Sequence, residues 1–125
     1  MPRYLIEASY TVEGTKGLLK EGGTARRTIV QKMVEKLGGR LEAFYFAFGD
    51  DDVYLFLDLP DNVTAASLSL SVAATGAVRT KTTVLLTPEA IDQAVKTPVD
   101  YEAPRWETQE GAKDLDRMSG EGGKG

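Results

Sequence analysis

The chain has no histidine and no cysteine among its 125 residues. Without histidine it lacks the side chain that most often moves protons near neutral pH and most often ligates metals. Ser-His-Asp and Cys-His nucleophiles, histidine- or cysteine-ligated zinc and histidine-ligated haem are excluded together. Without cysteine there is neither a disulfide nor a thiolate, a composition suited to a reducing compartment. The segment from Met1 to Glu7 carries no apolar run of signal-peptide length, so a cytoplasmic location is expected. Long apolar runs are missing as well. The longest uncharged stretch, Asn62 to Val78, consists mostly of Ala, Ser and Thr, whereas a membrane helix needs roughly 18–20 predominantly apolar residues. No membrane partner is expected.

A strong charge of either sign is also lacking. The net charge is -4, and the part through Thr97 is nearly balanced, with 11 basic and 12 acidic residues. Binding to nucleic acid depends on a basic face that displaces counterions from phosphates, so no nucleic-acid partner is expected. What is present is an ordinary globular composition, 42% hydrophobic and 27% charged. Its length suits one domain that needs no metal or disulfide to hold it together.

Arg3 to Val12 alternates between apolar and mixed positions, the period of a half-buried strand. Thr15 to Leu37 carries apolar residues at Leu18, Leu19, Ile29, Val30, Met33, Val34 and Leu37, a helical spacing. Gly22 and Gly23 interrupt it, which predicts a short turn or helix and then a main helix from Thr24, with Thr24 as its N-cap. Arg40 to Phe48 and Val53 to Leu59 read as a hairpin joined by the acidic loop Gly49 to Asp52. Asp61 or Asn62 caps a small-faced helix from Val63 to Thr75, and Gly76 closes it. Ala77 to Leu86 forms a fourth strand, and Pro88 opens a short helix through Val95. The order β-α-β-β-α-β predicts an α+β fold of ferredoxin-like topology, a four-stranded antiparallel sheet with helices on one face. Residues 1–97 form the expected domain. Residues 98–125 form a polar, acidic tail whose last ten or so residues are expected to be disordered, with Trp106 as a possible anchor.

The second and third strands are apolar on both sides. Phe44, Phe46 and Phe48 alternate with Leu41, Ala43, Tyr45 and Ala47, and Val53, Leu55, Leu57 and Leu59 alternate with Tyr54 and Phe56. Helices on one face leave the other to be covered by a second copy or by the tail. A homodimer or higher oligomer is expected, with Phe44, Phe46, Phe48, Tyr54 and Phe56 at the interface.

Several stretches resemble the GYD domain family of small bacterial proteins. They are Tyr4 to Thr11 (YLIEASYT), Arg26 at the start of the main helix, Leu37 to Gly49 (LGGRLEAFYFAFG) and Gly76 to Thr82 (GAVRTKT). The resemblance runs from about Pro2 to Thr87 and implies a fold of the dimeric α/β-barrel type. It names no reaction. The family signature Gly-x-Tyr-Asp falls on Gly49, Asp51 and Asp52, with Asp51 in the place of the tyrosine.

Arg26 is the foremost candidate for binding, because helical projection places it within the apolar stripe of Ile29, Val30, Met33 and Leu37. Either it points into a cavity and holds an anionic or organic ligand, or it pairs with a structural carboxylate such as Glu7, Glu42 or Asp58. Tyr10, Tyr45, Asp52 and Arg79 complete the candidate ligand-binding set, with Asp52 placed to cap the loop backbone or to pair with Arg79 or Arg26. Consecutive side chains in an extended loop diverge, so Asp50, Asp51 and Asp52 are not expected to bind a metal, and no cofactor is expected. Gly22 and Gly23 read as a flexible joint, since no phosphate-binding glycine motif accompanies them. The leading expectation is a non-enzymatic oligomeric module with a small-molecule site between helix and sheet. The alternatives are a cofactor-free monooxygenase or isomerase using Tyr45, Arg26 and Asp52, and a scaffold whose tail recruits a partner.

Overall fold

A computed structural model describes residues 1–106 of the chain, and the described residues fall into two units, Met1–Asp92 and 93–106. The described elements run β1 (Arg3–Tyr10), α1 (Val12–Glu21), α2 (Gly23–Lys36), β2 (Arg40–Phe46), β3 (Val53–Asp58), α3 (Asn62–Ala74), β4 (Val78–Leu85) and α4 (Pro88–Val95). Trp106 is the last described residue and belongs to the second unit. The disorder expected for the last ten or so residues of the tail concerns residues outside those described.

In the first unit the four strands form one antiparallel sheet in the order β2-β3-β1-β4. This is the ferredoxin-like α+β arrangement. Tyr4, Ile6 and Ala8 of β1 and Val53, Leu55 and Leu57 of β3 turn one way and pack with Val34 of α2 and Ala65 and Leu68 of α3. The hydroxyl of Tyr4, at 1% exposure, is satisfied by donating to Asn62 Oδ1 at 2.5 Å, as a buried phenol requires.

Local chemistry explains where the elements differ from the sequence pattern. Strand β1 stops at Tyr10 and does not include Val12, because Thr11 caps α1: its Oγ1 accepts from the Gly14 N–H at 3.3 Å and donates to the Gly76 carbonyl at 2.9 Å. Helix α1 is therefore ten residues long, nearly three turns. Gly22, at φ 88, ends α1 by donating its N–H to the Leu18 carbonyl and also serves as N-cap of α2. That left-handed conformation favours glycine. The expected cap, Thr24, lies inside α2, which starts at Gly23 with no side-chain cap.

Strand β2 ends at Phe46, two residues before Phe48. The Ala47 N–H donates to the Asp52 carbonyl at 2.8 Å, closing the hairpin and leaving Phe48 fully exposed in the loop. The β2–β3 register shifts between Leu41 and Ala43, so Glu42 is the extra residue of a β-bulge. A bulge reverses the facing of every residue beyond it. Leu41 opposes Leu57 and packs against the core, whereas Ala43 opposes Phe56. The plain alternation that grouped Leu41 with Ala43 and Tyr45 is corrected by that one residue.

The same register divides the expected interface aromatics. Phe44 opposes Leu55 and Phe46 opposes Val53, on the helix-covered side, and their rings meet edge-on at 5.4 Å. Tyr45 opposes Tyr54, and Ala43 opposes Phe56, on the reverse side. Of the five residues, only Tyr54 and Phe56 lie on the face without helices, and Phe48 lies on neither.

That open face has an ionic edge. Asp58 accepts from Arg3 Nε at 2.8 Å and from Arg40 Nη2 at 3.1 Å, and Glu42 joins both arginines. The hydrogen bond from Arg3 holds the Asp58 carboxyl below its usual range, against the opposing effect of its burial.

Candidate ligand-binding cavity

Helix α2 packs over the edge strand β2 and α3 over the opposite edge strand β4. Between them, part of the two central strands borders an open space on the helix side. The result is a cavity of about 450 Å³. Its floor is Ile6, Ala8 and Tyr10 of β1 with Val53 and Leu55 of β3. Ile29, Val30 and Met33 of α2 form one wall, Leu68 and Val72 of α3 the other, and Gly14, Gly17 and Leu18 of α1 close one end. Small residues create the space. Ala8 is the smallest side chain on the floor, and the two glycines give α1 no side chain at those positions.

The polar end is built by Arg26, Glu21 and Tyr10. Arg26 donates through Nε and Nη2 to the two carboxylate oxygens of Glu21, the Nη2 bond at 2.8 Å, in a bidentate pair that is partly buried. The hydrogen bond from Arg26 lowers the Glu21 pKa, and the same bond raises that of Arg26. Burial raises the Tyr10 hydroxyl above its ordinary value. Arg26 opposes that shift, and Glu21 and Asp52 add to it. Among the described residues the Tyr10 hydroxyl has no hydrogen-bond partner.

Arg26 thus faces the cavity and pairs with a carboxylate at the same time. The partner is Glu21, not Glu7, Glu42 or Asp58, which lie on the open face or its edge. Helical spacing did not announce Glu21. It precedes Arg26 by five residues across the Gly22 joint, and only the turn at that joint lets the end of α1 meet the start of α2.

The remaining candidates lie elsewhere. Asp52 Oδ2 accepts from the Tyr10 N–H at 2.8 Å while the Asp52 N–H donates to the Ala8 carbonyl at 2.8 Å. It therefore caps backbone and ties the hairpin loop to β1, directly under the polar end of the cavity, without pairing to Arg79 or Arg26. Asp51 turns to the open face, where it is 5% exposed, accepts from Ser9 Oγ at 2.9 Å and pairs with Lys81 Nζ at 3.1 Å. Lys81 first, then Ser9, holds its carboxyl below the usual range. Where the family signature has tyrosine, this chain has a buried aspartate paired with an exposed lysine. Arg79 lines a shallow polar depression beside them, Tyr45 is 66% exposed on that same open face, and Gly49 stands in the loop with open space around it. Asp51 and Asp52 are thus spent in different directions. Among the described residues no cluster of three or more carboxylates converges as a metal site, and no helix is long and apolar enough to cross a membrane.

A ferredoxin-like sheet with a mainly apolar cavity between its helices places the chain among small α+β domains. Within that class, the GYD domain model matches residues 4–95, so the chain belongs to the GYD domain family. No curated protein and no solved structure matches it.

Proposed function

We propose that this protein is a homo-oligomeric binding module that holds a small organic molecule in the cavity between helices and sheet. The cavity itself carries the reading. Its volume of about 450 Å³ falls within the roughly 300–1,000 Å³ typical of small-molecule sites, and its apolar walls converge on a few polar groups at one end. Of the polar groups that a cofactor-free enzyme would call on, Arg26 lines this space. Tyr45 stands on the other side of the sheet, and the Asp52 carboxylate is taken up by backbone. The binding reading is therefore preferred. The cysteine-free composition supports a cytoplasmic setting.

Thermal-shift screening of the full chain with aromatic and alicyclic compounds tests the site. A compound at about 100 times its Kd adds about 2.7 kcal/mol to stability. Ala8→Phe, which pushes a ring into the cavity from its floor, abolishes that shift in the expected result. Stabilisation that survives Ala8→Phe places the ligand elsewhere.

The oligomeric half of the proposal rests on the open face, where Leu5, Ala43, Tyr45, Tyr54 and Phe56 form an apolar patch away from α1, α2 and α3. Covering such a patch with a second copy gains about 25 cal/mol per Å² of apolar surface before association costs. Sedimentation is expected to give a dimer or larger species that Phe56→Glu converts to a monomer. A native protein that sediments as one subunit at micromolar concentration ends this half of the proposal.

A further inference from the structure

We infer that the cavity selects an uncharged apolar molecule with one hydrogen-bond-accepting oxygen, of the aryl-ketone class, and that Glu21 is the residue that turns carboxylates away. The inference rests on the small-molecule reading of the cavity and names the chemistry that the polar end accepts.

Arg26 alone would invite an organic acid, since a guanidinium binds a carboxylate in bidentate geometry. Here that geometry is already filled from within the chain, because Glu21 takes Nε and Nη2 with both of its oxygens. Glu13, also on the cavity wall, adds a second carboxylate against the single cation. A ligand carboxylate would have to displace Glu21, leaving it without a partner in a largely apolar space, or lie beside it as a like charge. Both carry a cost at a partly buried site. A neutral oxygen meets neither obstacle.

Donors for such an oxygen remain. A guanidinium has five N–H bonds and Glu21 engages only Nε and Nη2, so Nη1 stays available. The Tyr10 hydroxyl is a second donor without a partner among the described residues, and its raised pKa keeps it protonated at neutral pH. Ile6, Leu55, Ile29, Met33, Phe44 and Val72 line the rest of the space, so the ligand body is apolar.

The test compares three probes of one shape on the full chain by calorimetric titration at neutral pH: 2-acetylnaphthalene, 2-naphthoate and 2-(aminomethyl)naphthalene. The native protein is expected to bind the ketone at least about tenfold more tightly than the carboxylate, the scale of an unrelieved buried charge. Glu21→Gln keeps the shape, frees the Arg26 charge and tightens naphthoate by about tenfold or more. The native comparison stands whether or not that variant folds. Naphthoate or the amine binding the native protein as tightly as the ketone overturns the inference, as does a folded Glu21→Gln variant that binds naphthoate no more tightly than the native protein. If ketone and naphthoate bind equally and Ala8→Phe abolishes both, only the selectivity for neutral ligands is lost. If none of the three binds either protein, the selectivity claim and the cavity reading fall together.

Discussion

Leu57→Ala lowers the unfolding free energy by about 4 kcal/mol, whereas Leu55→Ala, two residues earlier on the same strand and the same face, lowers it by about 2 kcal/mol. Both leucines count as buried, at 0% and 7% exposure, and an area argument alone predicts nearly equal losses. Their surroundings differ. Leu57 pairs across the sheet with Tyr4 and Leu41 and belongs to the closed part of the core. Removing its side chain forfeits contacts on every side and leaves a new void. Leu55 already borders the cavity, so part of its surface has no partner atoms to lose and truncation only enlarges an existing space. Urea denaturation of the two variants reads the difference directly as unequal shifts in midpoint. Equal shifts would mean that the cavity is filled in solution by rearranged side chains, and the binding site would go with it.

Gly14→Ala destabilises the domain by about 2 kcal/mol or more, while Gly17→Ala, one turn further along α1, stabilises it by about 0.5–1 kcal/mol. Alanine is the better helix former at both positions, so helix propensity predicts two gains. Tertiary packing reverses one. A Cβ on Gly14 would stand 2.2 Å from the Ala77 carbonyl oxygen and 3.0 Å from the Tyr10 ring, whereas one on Gly17 meets nothing within 4 Å. The carbonyl cannot give way, because it already accepts from the Thr11 N–H at 2.9 Å and fixes the start of α1 against the start of β4. The helix must lift instead and carry Tyr10 and the polar end of the cavity with it. Thermal melts of the two variants settle the signs, and a stabilised Gly14→Ala would show that α1 does not press on β4 as described.

The alternation of β1 and β3, the helical spacing around Val30 to Leu37 and the glycine and Asp61 punctuation were legible because each is a local preference repeated along the chain. The faces of β2 were not. Alternation carries no mark of a bulge, and one extra residue at Glu42 placed Leu41 and Ala43 on opposite sides. The site was legible by half. Arg26 stood out as a charge within an apolar stripe and Tyr10 as a strand tyrosine in the candidate binding set, but Glu21, Gly14 and Gly17 bore no local sign of their part. Asp52 was correctly suspected of a backbone role, while Asp51 drew notice only as a departure from the family signature, not as a buried partner of Lys81.

Composition and periodicity by themselves determined the elements, their order, the ferredoxin-like topology and the exclusion of histidine- and cysteine-dependent chemistry, since these depend on residue type and on spacing within a few turns or strands. Tertiary structure alone decided that α2 and α3 stand over opposite edge strands, that the space between them stays open, and that Arg26 meets Glu21 there. Those outcomes depend on distances between segments far apart in the chain, which no local pattern encodes.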